Sequence, residues 1–361
     1  MTTLTINPSL VSDAIKKLPN TSRLSIGLLS NILLEDTVDG LKLTTLTGNS
    51  GATVMLPLGS ASGQRFCISE RHLSLLVAVS GDKETVDIKV QDEVLKIGRT
   101  KVATVDALEY PELPDFQDGN LYLTRNVLAA IVEASNYAKD DFSVLSGVQV
   151  KINAETGDVA IRSTDGTRVY DCTQNIETSD IEKDLSFVLG TETCSLLKNF
   201  TEGADLFVST TENGDVQFIG LRDDDQGYFY YTSVVQGNFP NIDRLIPDAS
   251  TDPSPQLITS KEINDVIATV ALLSNEIQAL AINRDEEGNT VIGNECSIGE
   301  VWVNLPTVEV PQDLTLGLSI NRLKDMPKRG QWELVIRAHN QLVTFKAGSV
   351  TYHVMPVLLT R

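Results

Sequence analysis

The chain has 361 residues, 41% hydrophobic and 22% charged, with 29 Lys and Arg against 49 Asp and Glu, a formal net charge of −20. That length allows two or three domains, each burying its own core, and the composition is that of an ordinary globular protein without low-complexity tracts. No apolar run reaches membrane-spanning length and the N-terminus lacks the charged and apolar regions of a secretory leader, so a cytoplasmic protein is expected.

A single phrase recurs along the chain: an apolar strand-like run, a cap residue, then a helix-length amphipathic stretch. It begins at Leu4-Thr5-Ile6, where Asn7 is placed to cap and Pro8 to open a helix carrying Leu10, Val11, Ala14, Ile15 and Leu18. Phe66-Cys67-Ile68-Ser69 repeats it before Leu73, Leu76 and Val77, and the alternation over Thr85–Ile97 then predicts strand. Leu121-Tyr122-Leu123-Thr124 starts the third copy, followed by strand-like residues from Gly147 to Ile161. Phe187-Val188-Leu189-Gly190 starts the fourth and Leu257-Ile258-Thr259-Ser260 the fifth. Leu316-Gly317-Leu318-Ser319 starts the sixth, ahead of an alternating stretch from Trp332 to Phe345. Ser69, Thr124, Ser260 and Ser319 are the expected caps. Hairpin turns are predicted at Glu155-Thr156-Gly157-Asp158, Glu212-Asn213-Gly214-Asp215 and Glu287-Gly288-Asn289.

The copies lie about 55–70 residues apart, a spacing for repeated half-domains rather than small solenoid repeats. Six half-units make three similar α+β domains, each with two helices and about eight strands. Proline-bearing exits at Tyr110-Pro111 and Phe239-Pro240 place boundaries near 117 and 250, giving domains 1–117, 118–249 and 250–361.

Little in the sequence carries catalytic chemistry. Cys67, Cys172, Cys194 and Cys296 are far apart and form no CxxC pair, and His72, His339 and His353 sit in no metal or nucleophile motif. Asp223-Asp224-Asp225 invites a metal reading, but the flanking strands and Gln226-Gly227 make it a solvated turn. A non-enzyme without cofactor or metal is expected. The acidic balance weighs against nucleic-acid binding unless the charges are segregated, with a local basic surface inside and acids outside.

Three segments resist a purely structural explanation. Ser163-Thr164-Asp165-Gly166-Thr167-Arg168-Val169 contains a turn, yet turn chemistry leaves Arg168 and Val169 unaccounted for. Ile242, Leu245 and Ile246 are apolar within a linker expected to be exposed. The tail ends on Met355, Pro356, Val357, Leu358 and Leu359, apolar where termini are usually polar. Together they could line a groove for a short peptide.

Those segments are also where the chain resembles the bacterial sliding clamp family, the β subunit of DNA polymerase III. The matching phrases are Ser30-Asn31-Ile32-Leu33-Leu34, Tyr110-Pro111-Glu112-Leu113, Leu145-Ser146-Gly147-Val148, Thr164-Asp165-Gly166-Thr167-Arg168, Gly237-Asn238-Phe239-Pro240, Leu272-Leu273-Ser274-Asn275-Glu276 and Met355-Pro356. The resemblance implies a head-to-tail homodimer of three-domain protomers closed into a ring around duplex DNA, helices lining the hole and sheets outside. It implies a processivity factor that tethers polymerase and clamp-loader subunits through Leu/Phe-containing motifs. The partner-peptide pocket maps to Leu145, Thr164, Gly166, Thr167, Arg168, Val169, Pro240, Arg244, Leu245, Met355, Pro356, Val357 and Leu358. A ring holds DNA topologically and needs no strong phosphate contacts, which removes the objection from net charge. The DNA-facing residues would include Arg23, Arg71, Lys139, Lys198, Arg322 and Lys324, with Lys328 and Arg329 beside the last two. The ring interface would join the edge strand around Val102 and Val105 to the helix bearing Leu272 and Leu273.

The chain departs from the family pattern at Thr167, where His is frequent, at Val169 for Leu, and at Gln278 and Arg322, where aromatics line the pocket. Gly190-Thr191-Glu192 opens a helix where basic residues are frequent. Two rivals stand beside the clamp reading: a clamp-like peptide-binding scaffold without DNA encirclement, and a carboxylate/metal-dependent hydrolase using Asp223, Asp224 and Asp225.

Overall fold

The computed structural model describes residues 2–19, 27–57, 60–81, 83–91, 93–114, 116, 121–141, 143–177, 183–246, 252–273, 277–311 and 313–359. All six strand–cap–helix phrases are realised among these residues. The helices are α1 (Pro8–Lys17), α2 (Glu70–Ser80), α3 (Arg125–Ala134), α4 (Thr191–Leu196), α5 (Ser260–Leu273) and α6 (Ile320–Lys324). Each directly follows a strand: Thr2–Ile6, Arg65–Ser69, Leu121–Thr124, Leu185–Gly190, Gln256–Thr259 and Leu316–Ser319. Among the described residues no helix is long and apolar enough to cross a membrane.

The capping chemistry is partly as expected. Asn7 accepts the Leu10 amide at 3.0 Å with Pro8 at the first helical position, and Ser69 Oγ accepts from His72 at 3.2 Å. Thr124 Oγ1 takes the Val127 amide at a long 3.5 Å. The α5 cap is corrected by one residue: Thr259 accepts the Glu262 amide at 3.1 Å, while Glu262 returns to the Thr259 amide at 2.7 Å, a reciprocal capping box. Ser260 instead donates to the Arg329 carbonyl. Ser319 has the backbone of a cap, but its side chain makes no capping bond. The fourth and sixth helices are also shorter than the pattern predicts, at 6 and 5 residues.

By packing, the chain divides into two compact units. The first comprises Met1–Leu128, Ile176–Lys183 and Glu192–Val234. It holds a four-stranded antiparallel sheet in the order Thr2–Ile6, Val86–Gln91, Val94–Ile97, Thr100–Ala103. Val86, Ile88 and Val90 point inward and Asp87, Lys89 and Gln91 outward, the period-two alternation legible in the sequence. A nine-stranded antiparallel sheet runs Leu121–Thr124, Gly203–Thr210, Val216–Asp223, Tyr228–Ser233, Ser50–Leu56, Gly40–Leu46, Asn31–Thr37, Arg65–Ser69, Val105–Asp106. Its central pairing sets Tyr230 opposite Ala52, joining segments far apart in sequence. On one face Leu33, Leu46, Cys67, Ala107, Tyr110 and Tyr231 form a buried cluster, and Tyr110 Oη accepts the Leu46 amide at 3.1 Å. The Pro111 exit therefore leaves from an anchored tyrosine. Burial in that cluster pushes the Cys67 thiol up to about 11, so it stays protonated.

The second unit comprises Ala129–Asn175, Asp184–Thr191 and Val235–Arg361. Its eight-stranded sheet runs Leu185–Gly190, Gly147–Ile152, Asp158–Thr164, Arg168–Asn175, Val350–Val354, Val343–Ala347, Gln331–Val335, Gln256–Thr259. A second sheet runs Gly299–Asn304, Thr290–Cys296, Ala279–Arg284, Leu316–Ser319. α5 buries Ile263, Val266, Ile267 and Val270, which recur at helical spacing. Trp332 is fully buried, edge-on to Phe345, its indole donating to Ser260 Oγ at 3.1 Å. The stretch expected as strand from Trp332 to Phe345 breaks between Ile336 and Leu342, and that loop reaches the site described next.

Candidate functional site

A cavity of about 410 Å³ opens in the second unit. Its walls come from four places: the Thr164–Val169 turn, Leu145, the Pro240–Ile246 segment, and the Asn340–Leu342 loop with Met355.

The turn between Asp158–Thr164 and Arg168–Asn175 is built by its own side chains. Asp165 Oδ1 accepts from the Thr167 amide (2.9 Å), the Thr167 hydroxyl (2.7 Å) and the Arg168 amide (3.2 Å). Thr164 Oγ1 accepts from Gly166 at 3.0 Å and donates to the Arg168 carbonyl at 2.6 Å. Gly166 sits at φ +89°, a conformation glycine adopts without strain. Arg168 lines the cavity but is largely buried and held by protein partners. Its Nε donates to Asp165 Oδ2 at 2.9 Å, its Nη1 to Asp325 Oδ2 at 2.8 Å, and its guanidinium lies 5.2 Å from the Tyr137 ring centre. Tyr137 in turn stacks on Tyr170 at 5.1 Å. Burial opposes the charge on Asp165, but hydrogen bonds from Thr167 and the guanidiniums of Arg168 and Arg322 outweigh it and hold the carboxyl below its ordinary range.

Register then brings the tail to this turn. Arg168 and Val169 lie opposite Val354 and His353, and the Met355 amide donates to the Thr167 carbonyl at 2.9 Å. Beneath them His353 is buried, its Nδ1 3.0 Å from Thr344 Oγ1. Burial, with Arg337 and Arg162 adding repulsion, pushes its imidazole down to about 4. The Pro240–Ile246 segment is pinned by Arg162, which bridges Asp171 at 3.0 Å and Asp243 at 2.8 Å. Ile242 is buried as an anchor, contrary to its expected exposure, while Leu245 is 56% exposed at the cavity rim.

Leu145, Thr164, Gly166, Thr167, Arg168, Val169, Pro240, Arg244, Leu245 and Met355 line the cavity together. Pro356, Val357 and Leu358 do not line it. The Val357 amide donates to the Gly317 carbonyl at 2.9 Å and so follows the strand Leu316–Ser319, and Leu358 is exposed. Ile242, Ile246, Asn340, Gln341 and Leu342 complete the lining. The first two were visible as apolar linker residues; the last three lie in the break of the stretch expected as continuous strand, between Gln331–Val335 and Val343–Ala347.

The basic residues have different surroundings. Arg23 lies outside the described residues. Arg71 on α2, Lys198 after α4 and Lys324 at the end of α6 are exposed. Lys139 pairs with Asp141 at 2.6 Å. Arg322 is half-buried, and its Nη1 pairs with Asp165 at 2.9 Å. Its neighbour Arg329 likewise pairs with Glu133 at 2.8 Å. Of the interface residues, Val105 and Leu272 are exposed and Leu273 is half-buried. Val102 is buried within its own sheet, so the edge strand Thr100–Ala103 offers its backbone and the exposed side chains of Lys101 and Ala103. Asp223-Asp224-Asp225 forms the turn after Val216–Asp223: Asp223 accepts from the Gln226 amide at 3.0 Å and Asp224 pairs with Arg222 at 3.0 Å. Among the described residues no three His, Cys, Asp or Glu side chains converge as a metal site.

This arrangement of strand–helix units and sheets is the α+β fold of the sliding clamps, with its three repeated domains. The chain superposes on the DNA polymerase sliding clamp of Bacillus subtilis with a TM-score of 0.82 at 16% identity, over 99% of both chains. For the beta subunit of the Streptococcus pyogenes DNA polymerase the TM-score is 0.80 at 20% identity, over 99% of this chain and 100% of that one. A Pseudomonas aeruginosa sliding clamp (DNA polymerase III subunit beta) bound to griselimycin gives 0.79 at 18% identity, over 99% of both. The sequence matches no family model and no curated protein.

Proposed function

We propose that the chain is a non-enzymatic DNA sliding clamp, a processivity factor of the DNA polymerase III beta subunit kind. Two protomers, each with repeats 1–117, 118–249 and 250–361, close head to tail around duplex DNA, helices inward and sheets outward. The observation that carries this is the full-length agreement with solved clamps, from a chain whose six strand–helix units supply the repetition that a closed ring needs. The cavity beside Met355 then serves as the site for Leu/Phe motifs of polymerase and clamp-loader subunits. Burying such anchors is worth about 1.5–3 kcal/mol each, a reversible grip suited to a site that partners share.

The exposed side chain of Leu272, with Val105 on a sheet edge, supports the ring interface. Such exposed apolar residues mark association surfaces when they cluster. Leu272→Asp removes no core contact but places a charge in that interface. Size-exclusion chromatography with light scattering should give a dimer mass for the native chain and a monomer mass for the variant. A native chain that is monomeric at micromolar concentration contradicts the ring.

A second reading, a peptide-binding scaffold that does not encircle DNA, is favoured by one observation: Arg322 and Arg329 are spent on Asp165 and Glu133. It predicts peptide binding without retention on circular DNA.

A further inference from the structure

The loop that interrupts the stretch between Gln331–Val335 and Val343–Ala347 carries Arg337, whose side chain is 8% exposed and does not line the cavity. Its Nε and Nη2 grip the two carboxylate oxygens of Asp252, Nη2 at 2.5 Å. Its Nη1 donates to the Leu342 carbonyl at 3.0 Å and to Thr344 Oγ1 at 2.9 Å. Leu342 lines the cavity, and Asp252 lies a short way along the chain from Ile246, which lines another wall. One guanidinium thus ties the backbone of one cavity wall to the segment that leaves another. A second path runs through the sheet. Val169, His353 and Thr344 are direct cross-strand neighbours, so their side chains share one face, and Val169 lines the cavity. Arg337 can only donate, so it takes a lone pair of the Thr344 hydroxyl and leaves the hydroxyl proton for His353 Nδ1, 3.0 Å away. Were Nδ1 a donor too, that buried proton would have no acceptor among the described residues. The ring is therefore fixed as the tautomer with its proton on Nε2.

We propose that Arg337 is a positioning residue of the groove: gripped by Asp252, it holds the Leu342 wall and, through Thr344 and His353, the floor beside Val169. The inference rests on the groove being a peptide site and adds the residue that shapes it before a peptide arrives. Such preorganisation moves the cost of ordering the wall from binding to folding. The forked geometry matters more than the charge, because a lysine cannot span both carboxylate oxygens and reach two further acceptors.

The test is fluorescence anisotropy on the full chain with a labelled octapeptide carrying Leu and Phe anchors. It compares the native protein with Asp252→Asn, Arg337→Lys and the double variant of Asp252→Asn with Arg337→Met. Circular dichroism and urea titration fix a temperature at which each is folded, and affinities are compared there. Asp252→Asn should bind about tenfold more weakly, since binding must then order the freed loop. The double variant should lose no more than Asp252→Asn alone, because an arginine that nothing grips no longer positions the wall. Arg337→Lys should lose affinity despite keeping its charge. Heteronuclear NMR of the histidine rings, assigned with His353→Gln, should show Nδ1 unprotonated in the native chain and a mixture of tautomers in the double variant. Native affinity in folded Asp252→Asn and Arg337→Lys, with the loss confined to stability, overturns the proposal. So does a native His353 protonated at Nδ1. If the double variant does not fold, the two single variants decide. A native chain that binds no peptide overturns the groove reading itself, and the proposal with it.

Discussion

Arg168 and His353 show how much of the site is scaffold. Both sit beside the cavity, yet Arg168 braces the Asp165 turn against Asp325, and His353 is a neutral hydrogen-bonding partner of Thr344. The histidine has a measurable consequence. Its pKa is about 4 in the fold against 6.5 when free, so between those values the unfolded chain binds a proton that the folded chain refuses. Stability should be unaffected by this group above pH 6.5 and fall as the pH drops from 6.5 to 4, by on the order of 3 kcal/mol. Urea titrations across that window check it: His353→Gln should flatten the slope, and an unchanged slope would show that other groups set it.

At this scale the sequence was legible where chemistry is local. Asp165-Gly166 announces a turn because a short carboxylate and a left-handed glycine suffice to make one. The role of Arg168 was not legible, because Asp325 and Tyr137 reach it only through tertiary packing. The same applies to Arg322, which reads as a surface cation on a helix until Asp165 is found beside it.

At the scale of elements, the strand–cap–helix phrase foretold where helices begin better than what holds them. The fifth cap fell on Thr259 rather than Ser260 because Glu262 stands three residues after Thr259, the spacing a capping box needs. Thr259→Ala should therefore cost about 1 kcal/mol. Ser319→Ala, which removes no capping bond, should fall within about 0.5 kcal/mol of neutral. Chemical denaturation of the two variants compares them directly; an equal loss would contradict the assigned caps. Sheet order was the least legible feature. The strand-like run after Asp223-Asp224-Asp225 becomes Tyr228–Ser233, but nothing in it or in Ser50–Leu56 says that the two pair. The Asn340–Leu342 loop was missed as a cavity wall for that reason: its position follows from pairing partners, not from its own residues.

For the whole molecule, repetition explains what single residues do not. Six variations of one unit build four antiparallel sheets among the described residues, and the cavity beside Met355 is formed by non-repeated segments. A clamp needs that division: equivalent units to close a ring, and one specialised groove to recruit enzymes. The proposed ring would need few free cations, because a closed ring retains DNA by topology rather than by phosphate contacts. The most direct measurement loads the protein onto nicked circular DNA and follows its retention by gel filtration before and after the circle is cut. Encirclement predicts stable retention on the circle, insensitive to moderate salt, and loss by sliding off once the DNA is linear. Equal retention on both forms, or on neither, would contradict it.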